Sequence, residues 1–140
     1  MTTLGPNLDL QNAVTKVLKA SAAIKALIGN PPRLWQDPLQ SANWPGAYVT
    51  IGEGQKVPDQ AECIDGSDCY LDLHVWSRGK GFAECKTIAA TIWAELEDAA
   101  LDLAQNRCIE LNPDGERYLR DPDGITKHGV VTLRALMEPA

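Results

Sequence analysis

The sequence predicts an α+β fold: a mixed, mostly antiparallel sheet of about five to six strands with two amphipathic helices packed on one face. Three observations carry this expectation. Two stretches place apolar residues at the helical period, one stretch alternates apolar and polar residues at the strand period, and Asp-Gly turns punctuate the last third of the chain. The order is helix and about three strands, then helix and about three strands again, with no residue-level repeat between the halves. The 140 residues suit a single domain spanning 1–140 that buries a core without disulfides or metals.

The first helix is read from Leu10, Val14, Val17, Leu18, Ile24, Leu27 and Ile28, with Lys16, Lys19 and Lys25 among the intervening positions. It is expected to run from Leu8 to Ile28. Asn7 or Asp9 is the candidate acceptor for its first-turn amides, and Gly29-Asn30-Pro31-Pro32 ends it. Arg33 to Gln36 is a short extended piece, and Ala47 to Ile51 has strand composition ending at Gly52. Cys69, Leu71, Leu73 and Val75 alternate with Tyr70, Asp72, His74 and Trp76, so one face of this strand belongs to a core. The other carries charge and aromatics. Phe82, Cys85, Ile88, Ala89, Ile92, Trp93, Leu96 and Ala100 trace the second helix, expected to reach Asp102. Arg107 to Leu111, Asn112-Pro113-Asp114-Gly115 and Glu116 to Arg120 read as a hairpin. Asp121-Pro122-Asp123-Gly124 then turns into a last strand through Met137.

Composition excludes several function classes. A net charge of −6 and a pI near 4.8 disfavour a general nucleic-acid binder, which needs clustered Lys and Arg. Met1 to Leu10 carries neither a basic run nor an apolar stretch of signal length, so neither secretion nor membrane spanning is expected. The four cysteines, Cys63, Cys69, Cys85 and Cys108, are read as reduced thiols. Cys63 and Cys69 lie too far apart for the usual zinc knuckle, and Cys69 and Cys85 sit on apolar stripes as small hydrophobes. No metal or cofactor is expected.

The two imidazoles, His74 and His128, lie in strand-like runs without a nucleophile elbow, which argues against a catalytic triad. Gly79-Lys80-Gly81 before a helix resembles an anion-binding turn but is too short for a P-loop. Asp121-Pro122-Asp123-Gly124 lacks the distal Glu of a calcium loop and is read as a turn.

Two features point outward. From Glu53 to Asp72 six acids (Glu53, Asp59, Glu62, Asp65, Asp68 and Asp72) stand against one base, Lys56. This stretch is either a solvated loop or a projecting arm whose charge repels phosphates or meets a basic surface. Trp76, sharing a strand face with Tyr70, Asp72 and His74, is either covered by its own loops or serves as an interface anchor. The interface reading is preferred, and no residue is assigned a catalytic role.

The opening helix with Leu8-Asp9-Leu10-Gln11-Asn12-Ala13, the segment Trp44-Pro45-Gly46-Ala47-Tyr48-Val49-Thr50-Ile51-Gly52, the strand Leu71-Asp72-Leu73-His74-Val75-Trp76-Ser77 running into a helix, and the Asp-Pro-Asp-Gly turn before His128 follow one another over nearly the whole chain. In this order they resemble the tail-completion or tail-terminator proteins of long-tailed bacteriophages, prophages and gene-transfer particles. The resemblance implies a non-enzymatic virion protein, assembled in the bacterial host cytoplasm, that forms a ring, commonly a hexamer, at the head-proximal end of the tail tube. Its partners would be copies of itself, the tail-tube protein and the head–tail connector, with DNA passing through the channel without specific binding. Three alternatives stay open: a neighbouring connector ring, a small enzyme or ligand-binding domain using His74, Asp72 and Cys69, and a host-directed adaptor. On the tail reading, Glu53 to Asp68 is expected to form a hairpin-like arm that lines the channel or reaches a neighbouring ring.

Overall fold

The computed structural model describes residues 3–39, 41–59, 66–97 and 99–140. Among them are three helices, α1 (Pro6–Ala20), α2 (Ala22–Ile28) and α3 (Ala83–Leu96), and five strands, β1 (Leu34–Trp35), β2 (Tyr48–Asp59), β3 (Gly66–Ser77), β4 (Asn106–Arg120) and β5 (Lys127–Pro139). The strands form one sheet in the order β1-β2-β3-β5-β4. Only the β1–β2 pairing is parallel; the other three are antiparallel. This is the expected α+β architecture, with five strands and a third helix.

The core lies between the helices and one sheet face. Leu10, Val14 and Leu18 of α1, Ile24 and Ile28 of α2, and Cys85, Ile88, Ile92 and Leu96 of α3 meet Val49, Ile51, Leu71, Leu73, Val75, Val131, Leu133, Ala135 and Met137 from the strands. On β3 the alternation is complete: Cys69, Leu71, Leu73 and Val75 are buried and the residues between them half-buried. Trp93 packs half-buried against this core.

Local chemistry overrides periodicity at several points. The expected helix over Leu8 to Ile28 is two helices, because Ser21 adopts an extended conformation and its Oγ accepts a hydrogen bond from the Ile24 amide, capping α2. Both segments turn apolar faces to the same core, so the stripe runs on across the break. Neither Asn7 nor Asp9 caps α1. Gly5 occupies the N-cap with no side-chain bond, and Pro6 starts the helix. The second long helix stops at Leu96 rather than Asp102.

Two strands differ more from expectation. β2 does not end at Gly52; it continues to Asp59 through an irregular register between Ile51 and Gly54, where one extra residue enters the strand. A Cβ on Gly54 would stand 2.2 Å from the Tyr70 carbonyl oxygen, so only glycine fits there. The expected hairpin over Arg107 to Arg120 is a single strand, β4. Asn112-Pro113-Asp114-Gly115 is absorbed as a bulge between Pro113, opposite Leu133, and Glu116, opposite Val131. Gly115 takes the positive φ of 137° there. The unbroken partner strand β5 keeps the chain in register, and Pro113 is tolerated because β4 is an edge. Asp121-Pro122-Asp123-Gly124 is the true turn, closed by hydrogen bonds from the Asp121 amide to the Thr126 carbonyl and from the Gly124 amide to the Asp121 carbonyl.

Candidate functional site

The face of the sheet turned away from the helices collects most of the residues singled out in sequence. Register places Tyr70 beside Gln55 and Arg134, Asp72 beside Thr132, His74 between Thr50 and Val130, and Trp76 between Tyr48 and His128. Around Trp76 the aromatic rings form a continuous stack. Its indole lies 4.0 Å from the His128 ring centroid at 7°, and 6.2 Å from that of Tyr48. Tyr48 in turn contacts Trp35 at 5.2 Å and Trp44 at 5.4 Å, and the Arg78 guanidinium sits 4.6 Å above the Trp44 ring. The indole N–H of Trp76 donates to Thr50 Oγ1 at 3.1 Å. Trp76 is therefore half-buried within the chain, supported by neighbours on both sides.

The charged members of this face are paired rather than simply solvated. Asp68 binds Arg134 at 2.7 Å and Asp72 accepts a hydrogen bond from Thr132 Oγ1 at 2.9 Å, each linking β3 to β5. His74 Nδ1 lies 2.7 Å from His128 Nε2, and His74 Nε2 lies 2.5 Å from Glu53 Oε2. The latter contact is an ion-pair approach without hydrogen-bond alignment. The bulge in β2 turns Glu53 onto this face. Burial, then the neighbouring His74, lowers the pKa of His128 below the ordinary imidazole value.

The remaining candidates separate. Lys56 stands opposite Cys69 and so belongs to the other side of the sheet, and Asp59 ends β2 opposite Gly66. Glu62 and Asp65 lie outside the described residues, as does Cys63. β2 and β3 pair antiparallel out to Asp59 and Gly66, which is the stem of the expected arm. Sequence reasoning did not foresee that His128, Tyr48, Thr50 and Arg78 join this face. Strand register brings His128, Tyr48 and Thr50 there, Arg78 follows directly on the end of β3, and no local motif announces any of them.

Other chemical readings resolve into structure. The turn before α3 is served by the protein's own carboxylate: Ser77 Oγ donates to Glu84 Oε1 at 2.5 Å and accepts from the Gly79 amide at 3.2 Å. Asp123 accepts hydrogen bonds from Thr126 Oγ1 and from the amides of Thr126 and Ile125, which together pull its pKa down to about 2. It organises the turn. Cys69 and Cys85 are free, fully buried thiols, each pushed up to about 11 by burial, far from the reactive thiolate range. Among the described residues no three His, Cys, Asp or Glu side chains form a metal-binding group.

The five-stranded sheet thus carries helices on one side and a paired, aromatic surface on the other. The chain belongs to the family described as tail completion protein gp17, whose model matches residues 12–138. It is 28% identical over 90 residues to the tail completion protein gp17 of Bacillus phage SPP1, an alignment covering 64% of this chain and 66% of that one. Its fold matches a chain in the virion of a native gene transfer agent particle with a TM-score of 0.82 and 26% identity, covering 92% of this chain and 94% of the other. The structure of the SPP1 gp17 protein shares the fold with a TM-score of 0.56 at 24% identity, covering 90% of this chain and 86% of that one. The protein is thus a tail-completion component of a phage or gene-transfer virion.

Proposed function

We propose that this protein forms a closed ring, commonly of six copies, at the head-proximal end of the tail tube, where it ends tube growth and joins the tail to the head connector. The observation that carries the reading is the nearly full-length likeness to a chain built into a gene-transfer virion. A ring needs head-to-tail contact between two unlike surfaces, and closure fixes the copy number. The subunit has such unlike surfaces: the aromatic sheet face with the β2–β3 stem on one side, and the helical layer on the other. One ring surface would copy the docking surface of a tube subunit and the other would not, so polymerisation stops by geometry. The protein performs no bond-making chemistry in this role. DNA would pass through a channel whose acidic lining discourages phosphate contact.

The test combines light scattering and electron microscopy of the purified protein, alone and mixed with tail tubes. Discrete rings, or caps on tube ends, are expected. A chain lacking residues 56–65 loses the β2 side of the stem from Lys56 onward while β3 keeps its pairing with β5, and it should fold yet fail to cap tubes. A monomer that ignores tube ends, or unchanged capping by the shortened chain, overturns the ring or the arm respectively.

A further inference from the structure

We propose that Glu53, His74 and His128 form a proton-controlled latch on the aromatic face: the histidine pair holds one proton between its rings, and a second proton drives the rings apart and loosens the stack on Trp76. At 2.7 Å the gap between His74 Nδ1 and His128 Nε2 has room for one hydrogen. A neutral imidazole offers one donor and one acceptor, whereas an imidazolium offers two donors and no acceptor. The pair is therefore satisfied when at least one ring is neutral. With both rings charged, two N–H groups face each other and two cations stand with centroids 5.0 Å apart.

The surroundings decide where the first charge sits. Glu53 from β2 lies against His74 Nε2, so the pair has a carboxylate beside the His74 ring and the His128 nitrogen on its other side, the placement that favours a shared charge on the Glu53 side. His128 is the ring kept neutral. Its burial, the charge on His74 and Arg117 of β4 oppose its protonation, while Asp121 of the β4–β5 turn and Glu53 favour it. The other charged groups of this face are occupied elsewhere: Asp72 of β3 with Thr132, Asp68 with Arg134, and Arg78 over Trp44.

The readout is built in, because His128 lies flat on Trp76 and Trp76 is tied to Thr50. Two protons taken up at coupled sites titrate as two macroscopic steps belonging to the pair. Mild acidification completes the latch, and stronger acidification opens it. The latch is a property of the isolated subunit and operates whether or not this face meets a second copy.

Nitrogen-15 NMR of the imidazoles in the full chain, with fluorine NMR of 5-fluorotryptophan assigned through Trp76→Phe, tests this. Two separated protonation steps are expected, with the Trp76 signal moving only in the lower one. His74→Gln should leave His128 titrating in a single step. Glu53→Gln, at a side chain 61% exposed and so harmless to folding, should shift the upper step to lower pH by about half a unit or more. Both histidines titrating together near about 6.5, the ordinary value, a Trp76 signal indifferent to the lower step, or an upper step unmoved in Glu53→Gln would each overturn the proposal.

Discussion

The two faces of β3 are made from one twelve-residue segment and obey different rules. Toward the helices, Cys69, Leu73 and Val75 are fully buried and Leu71 nearly so. Their neighbours are apolar, and what they need is volume and shape. Toward the open side, Asp68, Asp72, His74 and Trp76 each engage a named partner on an adjacent strand, through Arg134, Thr132, His128 and Thr50. The inner face specifies the fold by burial. The outer face specifies a surface by directed contacts, at a cost in desolvation that folding alone does not require.

The largest effect that separates the faces is expected from Leu73→Ala. Leu73 is completely buried at the centre of the core, and truncating such a leucine costs about 2–5 kcal/mol. Denaturant unfolding should show a midpoint lowered accordingly with an unchanged slope. A loss below about 1 kcal/mol would mean that the helices repack over the gap and that the inner face is not close-packed.

A smaller but pH-dependent effect is expected at Asp9, a carboxylate 2% exposed inside the helical layer. Burial alone would raise its pKa. The amides of Ala104, Gln105 and Asn106 and the Asn106 side-chain N–H, at 2.8 to 2.9 Å, outweigh that and lower it below the ordinary 3.8. Asp9 thus ties α1 to the segment that enters β4. A lowered folded-state pKa contributes stability that is present above about pH 3.8 and lost as pH falls through the folded value. Asp9→Ala leaves those amides without their acceptor and should cost about 1–3 kcal/mol at neutral pH. Its stability curve below pH 4 should also be flatter than that of the parent. Equal acid sensitivity in both proteins would remove Asp9 from the account.

Asp9 also marks the boundary of what the sequence could disclose. Its partners lie 95 to 97 residues away, so an aspartate that in sequence is one of two candidate caps, with Asn7, is in the fold a tertiary clamp. The β3 alternation was legible because a half-buried strand writes its burial with period two. The break at Ser21 was not, since both helices face one core and the apolar stripe crosses the kink undisturbed. Asn112-Pro113-Asp114-Gly115 misled for the opposite reason: its local turn chemistry is genuine, but pairing with β5 makes it a bulge. The candidate surface was half legible. Tyr70, Asp72, His74 and Trp76 follow from one strand, whereas Glu53 arrives through a bulge and His128 through register, neither of which a single sequence encodes locally.

Trp76→Ala should produce the smallest stability loss and the sharpest contrast. Its indole is half-buried and held by one hydrogen bond and three ring contacts within the chain, so removal should cost the fold about 1–2 kcal/mol. If the open face meets another copy in the proposed ring, the same ring system would be fully desolvated there, and truncating a central aromatic anchor costs an interface about 2 kcal/mol or more. Self-association measured by light scattering should therefore weaken more than thermal stability does. Leu73→Ala should show the reverse order, with association lost only where the subunit unfolds. Should Trp76→Ala instead lower the melting temperature as much as Leu73→Ala and leave association intact, the aromatic stack would be a second, smaller core sealed by its own Trp44 and Tyr48. The contact between copies would then lie elsewhere on the sheet.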